Sequence, residues 1–363
     1  MEDIEMDIIN METASFPPYG LEVTMFVYEE DTEEISPTIL RLIHICNFIF
    51  YSITFILGVT GNGLVIWIAG FKMKKTISIL WFLNLAIADF IFDIMFPLQM
   101  TEIIMEGHWP FGVTMCKVVF TVLFLNMSVS TSFLMIISVD RCTSIMCPVW
   151  SKNHKTPRLA MTISGIIWST CLMLSSPYLA FFNIAQAYEN DTLYCIPMYA
   201  DDDDTYTMMD HTMVIVRFVS MFLIPFSIIV ICYSLIACRL SKSRSLSKSN
   251  RPLKVIVTIV LSFFCLWFPF HIWPLLEVMK VQMDPDVDAF VSNLVYSIGF
   301  FNSCVNPMIY VFVGRDFKKS LFKSIPFLLE NTFKEKDGSE TELRSNLTET
   351  EMEVITSEVR KNS

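Results

Sequence analysis

Residues 114–142, TMCKVVFTVLFLNMSVSTSFLMIISVDRC, run through apolar side chains with no Asp or Glu before they end on Asp140-Arg141-Cys142. The run exceeds the about 20 apolar residues that carry a helix across a bilayer. A second run downstream ends on Asn306-Pro307-Met308-Ile309-Tyr310. Each closes where polar groups could meet the aqueous side of a membrane.

The rest of the chain agrees with a membrane reading. Of 363 residues, 53% are hydrophobic and 17% charged, more apolar surface than one soluble core of this size could hide. The apolar residues fall into seven stretches: 42–71, 77–105, 113–147, 159–184, 211–238, 253–279 and 287–313. Lipid offers backbone groups no hydrogen-bond partner, and the alternating pattern of a barrel is missing, so each stretch is expected to be a helix. The expected fold is an all-α membrane protein, a seven-transmembrane helix bundle over 42–313, with an acidic segment 1–41 before it.

Basic residues set the orientation. They gather after spans one, three, five and seven: Lys72, Lys74 and Lys75; Arg141, Lys152, Lys155 and Arg158; Arg239, Lys242, Arg244, Lys248, Arg251 and Lys254; Arg315, Lys318, Lys319 and Lys323. These loops are therefore expected inside the cell and the N-terminus outside, at the plasma membrane. The acidic start Met1-Glu2-Asp3-Ile4-Glu5 lacks the basic region of a signal peptide, so span one should direct insertion itself. The net charge of -11 is concentrated on the outer side, in residues 1–40 and in Asp201 to Asp204. Such a field should steer a basic peptide or small protein, although the first segment alone could be a solubilising tail. No nucleic-acid partner is expected.

Cys116, at the outer end of span three, and Cys195, in the second outer loop, face the oxidising side and should pair. Asn190-Asp191-Thr192 is a glycosylation sequon on the same side, whereas those at Asn126 and Asn346 lie in a span and inside the cell. Within the spans, Asp89 is the clearest costly polar residue. Asn126 and Ser130 lie four apart on one helix face, and Asn302, Ser303 and Asn306 cluster in span seven. One carboxylate with neutral oxygens suits a small hard cation, or else a hydrogen-bonded network that joins helices. Trp267-Phe268-Pro269 places a proline kink beside a large aromatic, and Pro225 precedes Tyr233 in span five.

With Asn62, Asp89, Arg141, Trp168, Pro225, Trp267-Phe268-Pro269 and Asn306-Pro307-Met308-Ile309-Tyr310 in successive spans, the chain resembles the rhodopsin-like (class A) G-protein-coupled receptors over residues 42–323. The resemblance implies an allosteric sodium ion held by Asp89, Asn126, Ser130, Asn302, Ser303 and Asn306. It makes Trp267 a rotamer switch, Asp140 and Arg141 the G-protein contact, and Tyr233 and Tyr310 tyrosines that rearrange with Asn306 and Pro307 on activation. Cys142 stands where most members have Tyr, and Leu266 where many have Cys. Asp93 is an additional acid one turn from Asp89; two like charges so close imply that one is protonated or solvated.

Two ligand classes are excluded by chemistry. Residues 287–313 hold no lysine for a retinal Schiff base, and 114–139 no carboxylate for a biogenic amine. Phe71-Lys72-Met73-Lys74-Lys75-Thr76, Trp81-Phe82-Leu83-Asn84-Leu85-Ala86, His108-Trp109-Pro110-Phe111-Gly112, Pro148-Val149-Trp150-Ser151 and Asp316-Phe317-Lys318-Lys319 are similar to the chemoattractant group of chemerin, formyl-peptide and complement anaphylatoxin receptors, the chemerin branch most of all. That resemblance implies a peptide entering C-terminus first, with Arg217 at the carboxylate position and Tyr51, Glu277, Tyr296 and Trp267 facing the pocket. A lone guanidinium in span five needs an anion, either the ligand or an internal acid such as Glu277 or Asp93. Lipid mediators also act in this group, and a decoy that binds without G-protein signalling is a further alternative.

On the inner side the resemblance implies an inhibitory-class heterotrimeric G protein. Residues 314–325 alternate Phe317, Leu321 and Phe322 with Lys318, Lys319 and Lys323, as expected of a helix lying on membrane lipids. The tail 326–363 mixes hydroxyls with acids and lacks apolar periodicity, which suits disorder, phosphorylation and arrestin capture. No catalytic constellation recurs in the spans, so no enzyme and no cofactor beyond the ion are expected.

Overall fold

The computed structural model describes residues 9–10, 36–186, 191–200, 202–242, 251–279, 281 and 283–313, with Glu277 and Tyr310 described by their backbone alone. Among the described residues, seven helical rods emerge. They are α1 (Pro37–Trp67), continued by a π-helical turn Ile68–Lys72; α2 (Ile77–Asp93) with α3 (Phe96–Ile104); α4 (Gly112–Met146); α6 (Pro157–Phe181); α7 (Asp203–Arg217) with α8 (Ile224–Lys242); α9 (Arg251–Val278); and α10 (Pro285–Val313). A short α5 (Pro148–His154) lies between α4 and α6.

Local chemistry starts these helices. Thr76 and Thr156 cap α2 and α6 by accepting from the backbone N–H of Ile79 and Leu159, and Pro157 opens α6 with a preset φ. Asp202 accepts from Thr205 N–H at 2.9 Å, and the Thr205 backbone and hydroxyl bonds hold its carboxyl below the usual carboxylate range. That cap starts the fifth rod at Asp203, outside the 211–238 read from apolarity, because its first turns are polar.

Five rods are long and apolar enough to cross a membrane over their described residues: Pro37–Lys72, Ile77–Ile104, Gly112–Met146, Pro157–Phe181 and Asp203–Arg239; Val260–Leu276 is a shorter apolar stretch of α9. Large apolar side chains such as Ile56, Met161, Ile166 and Ile231 point outward, the reverse of a soluble protein, while Asn62, Asp89, Asp93 and Asn306 are buried. The bundle is polar at its centre and oily outside, as a bilayer demands.

Two irregularities aim side chains. Pro97 has no N–H to give the Asp93 carbonyl, and the helix breaks at Ile94 and Met95 between α2 and α3. In the fifth rod, Pro225 leaves the Met221 carbonyl without its α-helical donor, and the backbone widens into the π-helical turn Phe218–Leu223 directly after Arg217.

Over one end of the bundle lies a hairpin of β2 (Phe182–Gln186) and β3 (Leu193–Pro197), with Ile184 opposite Cys195. Strand β1 (Ile9–Asn10) adds to β2 in parallel, placing Ile9 opposite Ala185. Cys116 and Cys195 are disulfide-bonded across 5.6 Å between Cα atoms, which ties the hairpin to α4. Trp109, fully buried, reinforces the tie: its N–H donates to Leu193 O at 2.7 Å and its Nε1 to Gly112 O at 3.1 Å. Gly112 has φ +77°, a conformation a side chain would strain. Asn190, residues 314–325 and the tail 326–363 lie outside the described residues.

Candidate functional site

At mid-bundle, α2 carries two carboxylates one turn apart, both 0% exposed. Asp89 Oδ1 accepts from Asn126 Nδ2 at 2.9 Å and Ser130 Oγ at 3.2 Å, and its Oδ2 accepts from Asn306 Nδ2 at 2.9 Å. Asp93 Oδ2 accepts from Asn62 Nδ2 at 2.9 Å, and its Oδ1 from Ser303 Oγ at 2.5 Å. Ser303 therefore serves Asp93 in this geometry. Asn302 Oδ1 is buried with no hydrogen-bond partner. The expected polar set comes together, but it divides into two halves whose members come from α1, α2, α4 and α10.

Trp267 on α9 is 1% exposed, its ring 4.9 Å from Phe270 and 6.2 Å from Phe263. Gly299 on α10 makes room for it, since a Cβ there would come within 3.2 Å of the indole. Phe270 then passes the contact to Tyr296 at 5.4 Å.

Arg217 ends α7 and is 5% exposed. Its guanidinium carbon lies 5.3 Å from the Phe124 ring and 5.5 Å from Phe270, and its Nη2 is buried without a hydrogen bond. Among the described residues no carboxylate lies within 4 Å of it. Asp93 is committed elsewhere, and the Glu277 side chain lies outside the description. Sequence reading missed Asp210, the buried acid on the same face of α7 two turns earlier; the spacing i, i+7 is the signal that would have found it. Tyr51 lies apart from Arg217, packed on Phe96 at 5.4 Å and Phe300 at 5.8 Å.

At the far end of α4, Asp140 Oδ1 is 2.8 Å from Lys155 Nζ and its Oδ2 is 3.9 Å from Arg141 Nε. Arg141 also donates to Ser78 Oγ on α2. Lys155, which follows α5, was read only as an orienting charge; the structure makes it the firmer partner of Asp140. Cys142 packs with Cys232 and Ile236, and Tyr233 rests against this cluster.

A buried acid at mid-bundle, a buried tryptophan among aromatic neighbours and an Asp140-Arg141 pair now stand on one scaffold. Residues 61–310 match the family described as 7 transmembrane receptor (rhodopsin family). The chain belongs to that family.

Its curated relatives narrow the group. Human chemerin-like receptor 1 is 42% identical over 300 residues, covering 79% of this chain and 80% of the relative. Mouse formyl peptide receptor 2 is 39% identical over 314 residues, with 83% and 89% covered. Human N-formyl peptide receptor 3 is 35% identical over 331 residues, with 87% and 93% covered. This rhodopsin-family chain is thus a multi-pass plasma-membrane receptor and not an enzyme.

Proposed function

We propose that this receptor answers an extracellular chemoattractant peptide or small protein, of the kind named in its chemerin and formyl-peptide relatives, and signals through an inhibitory-class G protein and arrestin. The observation that carries the ligand reading is Arg217. A guanidinium 5% exposed, held on two aromatic faces and short of a partner at Nη2, is prepared for an incoming carboxylate. It shares Phe270 with Trp267, so a ligand anion drawn onto Arg217 would press on the switch. The acidic Asp202, Asp203 and Asp204 at the start of α7, with the outward-facing N-terminus, would steer a basic partner toward that mouth.

The residues at mid-bundle fit a sodium ion. Asp89 supplies the charge, Ser130 keeps a lone pair, and Asn302 Oδ1 is an orphaned oxygen that a cation would satisfy. Bound there, the ion would brace α2, α4 and α10 against rearrangement. A carboxylate-bearing lipid mediator would use Arg217 in the same way and is the second reading.

The test is G-protein dissociation in cells expressing the full chain, challenged with chemerin C-terminal peptides, formyl peptides and anionic lipids. A saturable response to a peptide supports the proposal. A response to lipids alone selects the second reading, and arrestin recruitment without G-protein dissociation would mean a decoy.

A further inference from the structure

His108 and Trp109 lie on the loop between α3 and α4, at the end of the bundle that carries the Cys116–Cys195 disulfide. Two consecutive left-handed residues aim this loop, Glu106 with φ +52° and Gly107 with φ +93°. Gly107 N–H donates to Glu102 O at 2.9 Å and His108 N–H to Met105 O at 3.1 Å, which closes the last turn of α3 before the chain swings toward β3.

Both residues then grip Leu193, the first residue of β3. Leu193 N–H donates to His108 Nδ1 at 3.1 Å, and Leu193 O accepts from the Trp109 N–H at 2.7 Å. Alternate residues of an antiparallel pair turn both backbone groups away from the partner strand, and the loop takes that edge of β3. The Trp109 half of the grip does not titrate. The His108 half does, and its protonation state is fixed by its partner. A backbone N–H only donates, so Nδ1 is the bare nitrogen of a neutral ring whose proton sits on Nε2. A second proton makes Nδ1 a donor facing a donor, and the bond is lost.

We infer that His108 is a proton-operated latch on the β2–β3 hairpin: the neutral ring holds the Leu193 end, and the protonated ring releases it. Because the bond belongs to the neutral ring, it is present above the pH range in which imidazole titrates and is lost as pH falls through that range. Cys195, two residues along β3, stays bonded to Cys116, so acid loosens one end of the hairpin without detaching it. A disulfide belongs to an oxidising compartment, and the half-buried ring beside it meets the pH of that side of the membrane. Other titratable groups stand on the elements around it: Glu102 of α3, Glu106 of its own loop, His44 of α1, Lys117 of α4, Asp191 ahead of β3 and Tyr194 within it. Asp191 accepts from Gln186 Nε2 at 2.9 Å. His44 lies within electrostatic reach of Glu106, and that pair is the one whose titration would mimic the latch.

The test is amide hydrogen exchange on the purified full chain in micelles, at about pH 7.5 and about pH 5.5, each corrected for the intrinsic exchange rate. One unit below the ordinary imidazole value of about 6.5, about nine rings in ten are protonated, so protection of the peptide spanning residues 192–197 should fall about tenfold in the wild type. His108→Asn puts a carbonyl oxygen where Nδ1 stands and does not titrate. Its protection should be equal at the two pH values and match the wild type at the higher one. His108→Leu should show the low protection at both, whereas Glu106→Gln and His44→Gln should keep the wild-type response. Hydrogen exchange at the imidazole carbon of His108 in the unaltered chain should titrate with the same midpoint as the amide protection, a comparison that needs no variant to fold. Unchanged protection in the wild type, an equal fall in His108→Asn, loss of the response in Glu106→Gln or His44→Gln, or two different midpoints would each overturn the latch.

Discussion

Asp89 and Asp93 stand one turn apart on α2 yet are satisfied from opposite sides, Asp89 by α4 and α10, Asp93 by α1 and α10. This division makes the ion reading testable at single residues. Sodium should lower agonist affinity in the wild type, because it favours the arrangement in which these helices are held together. Asp89→Asn should remove that dependence, measured by competition binding across sodium concentrations. Ser303→Ala should leave most of it, since Ser303 donates to Asp93; equal loss in both variants would place Ser303 at the ion instead. At the inner mouth, Lys155 holds Asp140 at 2.8 Å. A partly exposed pair of this kind is worth about 0.4–1 kcal/mol, so Lys155→Ala should raise basal nucleotide exchange about two- to fivefold by freeing the Asp140–Arg141 pair. Asp89, Arg141 and Arg217 were legible in the sequence because a charge in an apolar run is conspicuous. The partners of Asp93 and Asp140 were not, because they depend on which residues of distant spans meet.

Element positions follow the same logic. Helix existence was readable from apolar length, which the bilayer dictates; the break before α3 and the π-helical turn after Arg217 were not, because each arises from how one proline's missing N–H is absorbed. Strand β1 spans two residues and leaves no periodic signal. The α1–α2 contact offers a check on packing. A Cβ on Gly58 would run into the Asp93 carboxyl group. Gly58→Ala should therefore cost about 1–3 kcal/mol in thermal stability of the solubilised receptor. Combining it with Asp93→Ala should remove most of that penalty, and strict additivity of the two losses would show that the contact is absent.

Across the whole molecule, Arg217, the residue proposed to take the ligand's anion, is joined to Trp267 through Phe270. The β2–β3 hairpin is tied to α4 by a disulfide closing a separation of 79 residues, a loop worth about 4 kcal/mol of chain entropy. Cys195→Ser should lower surface expression and agonist affinity together, read by flow cytometry and radioligand binding. The most direct measurement is G-protein dissociation by one peptide agonist as its free C-terminal acid and as its amide, on wild type and on Arg217→Ala. Truncating one partner of a buried charge pair typically costs about 2–5 kcal/mol. The acid should therefore lose at least tenfold in potency on Arg217→Ala, and the amide, already weak on the wild type, should lose little more. Equal losses for acid and amide would make Arg217 an internal structural partner and contradict the account.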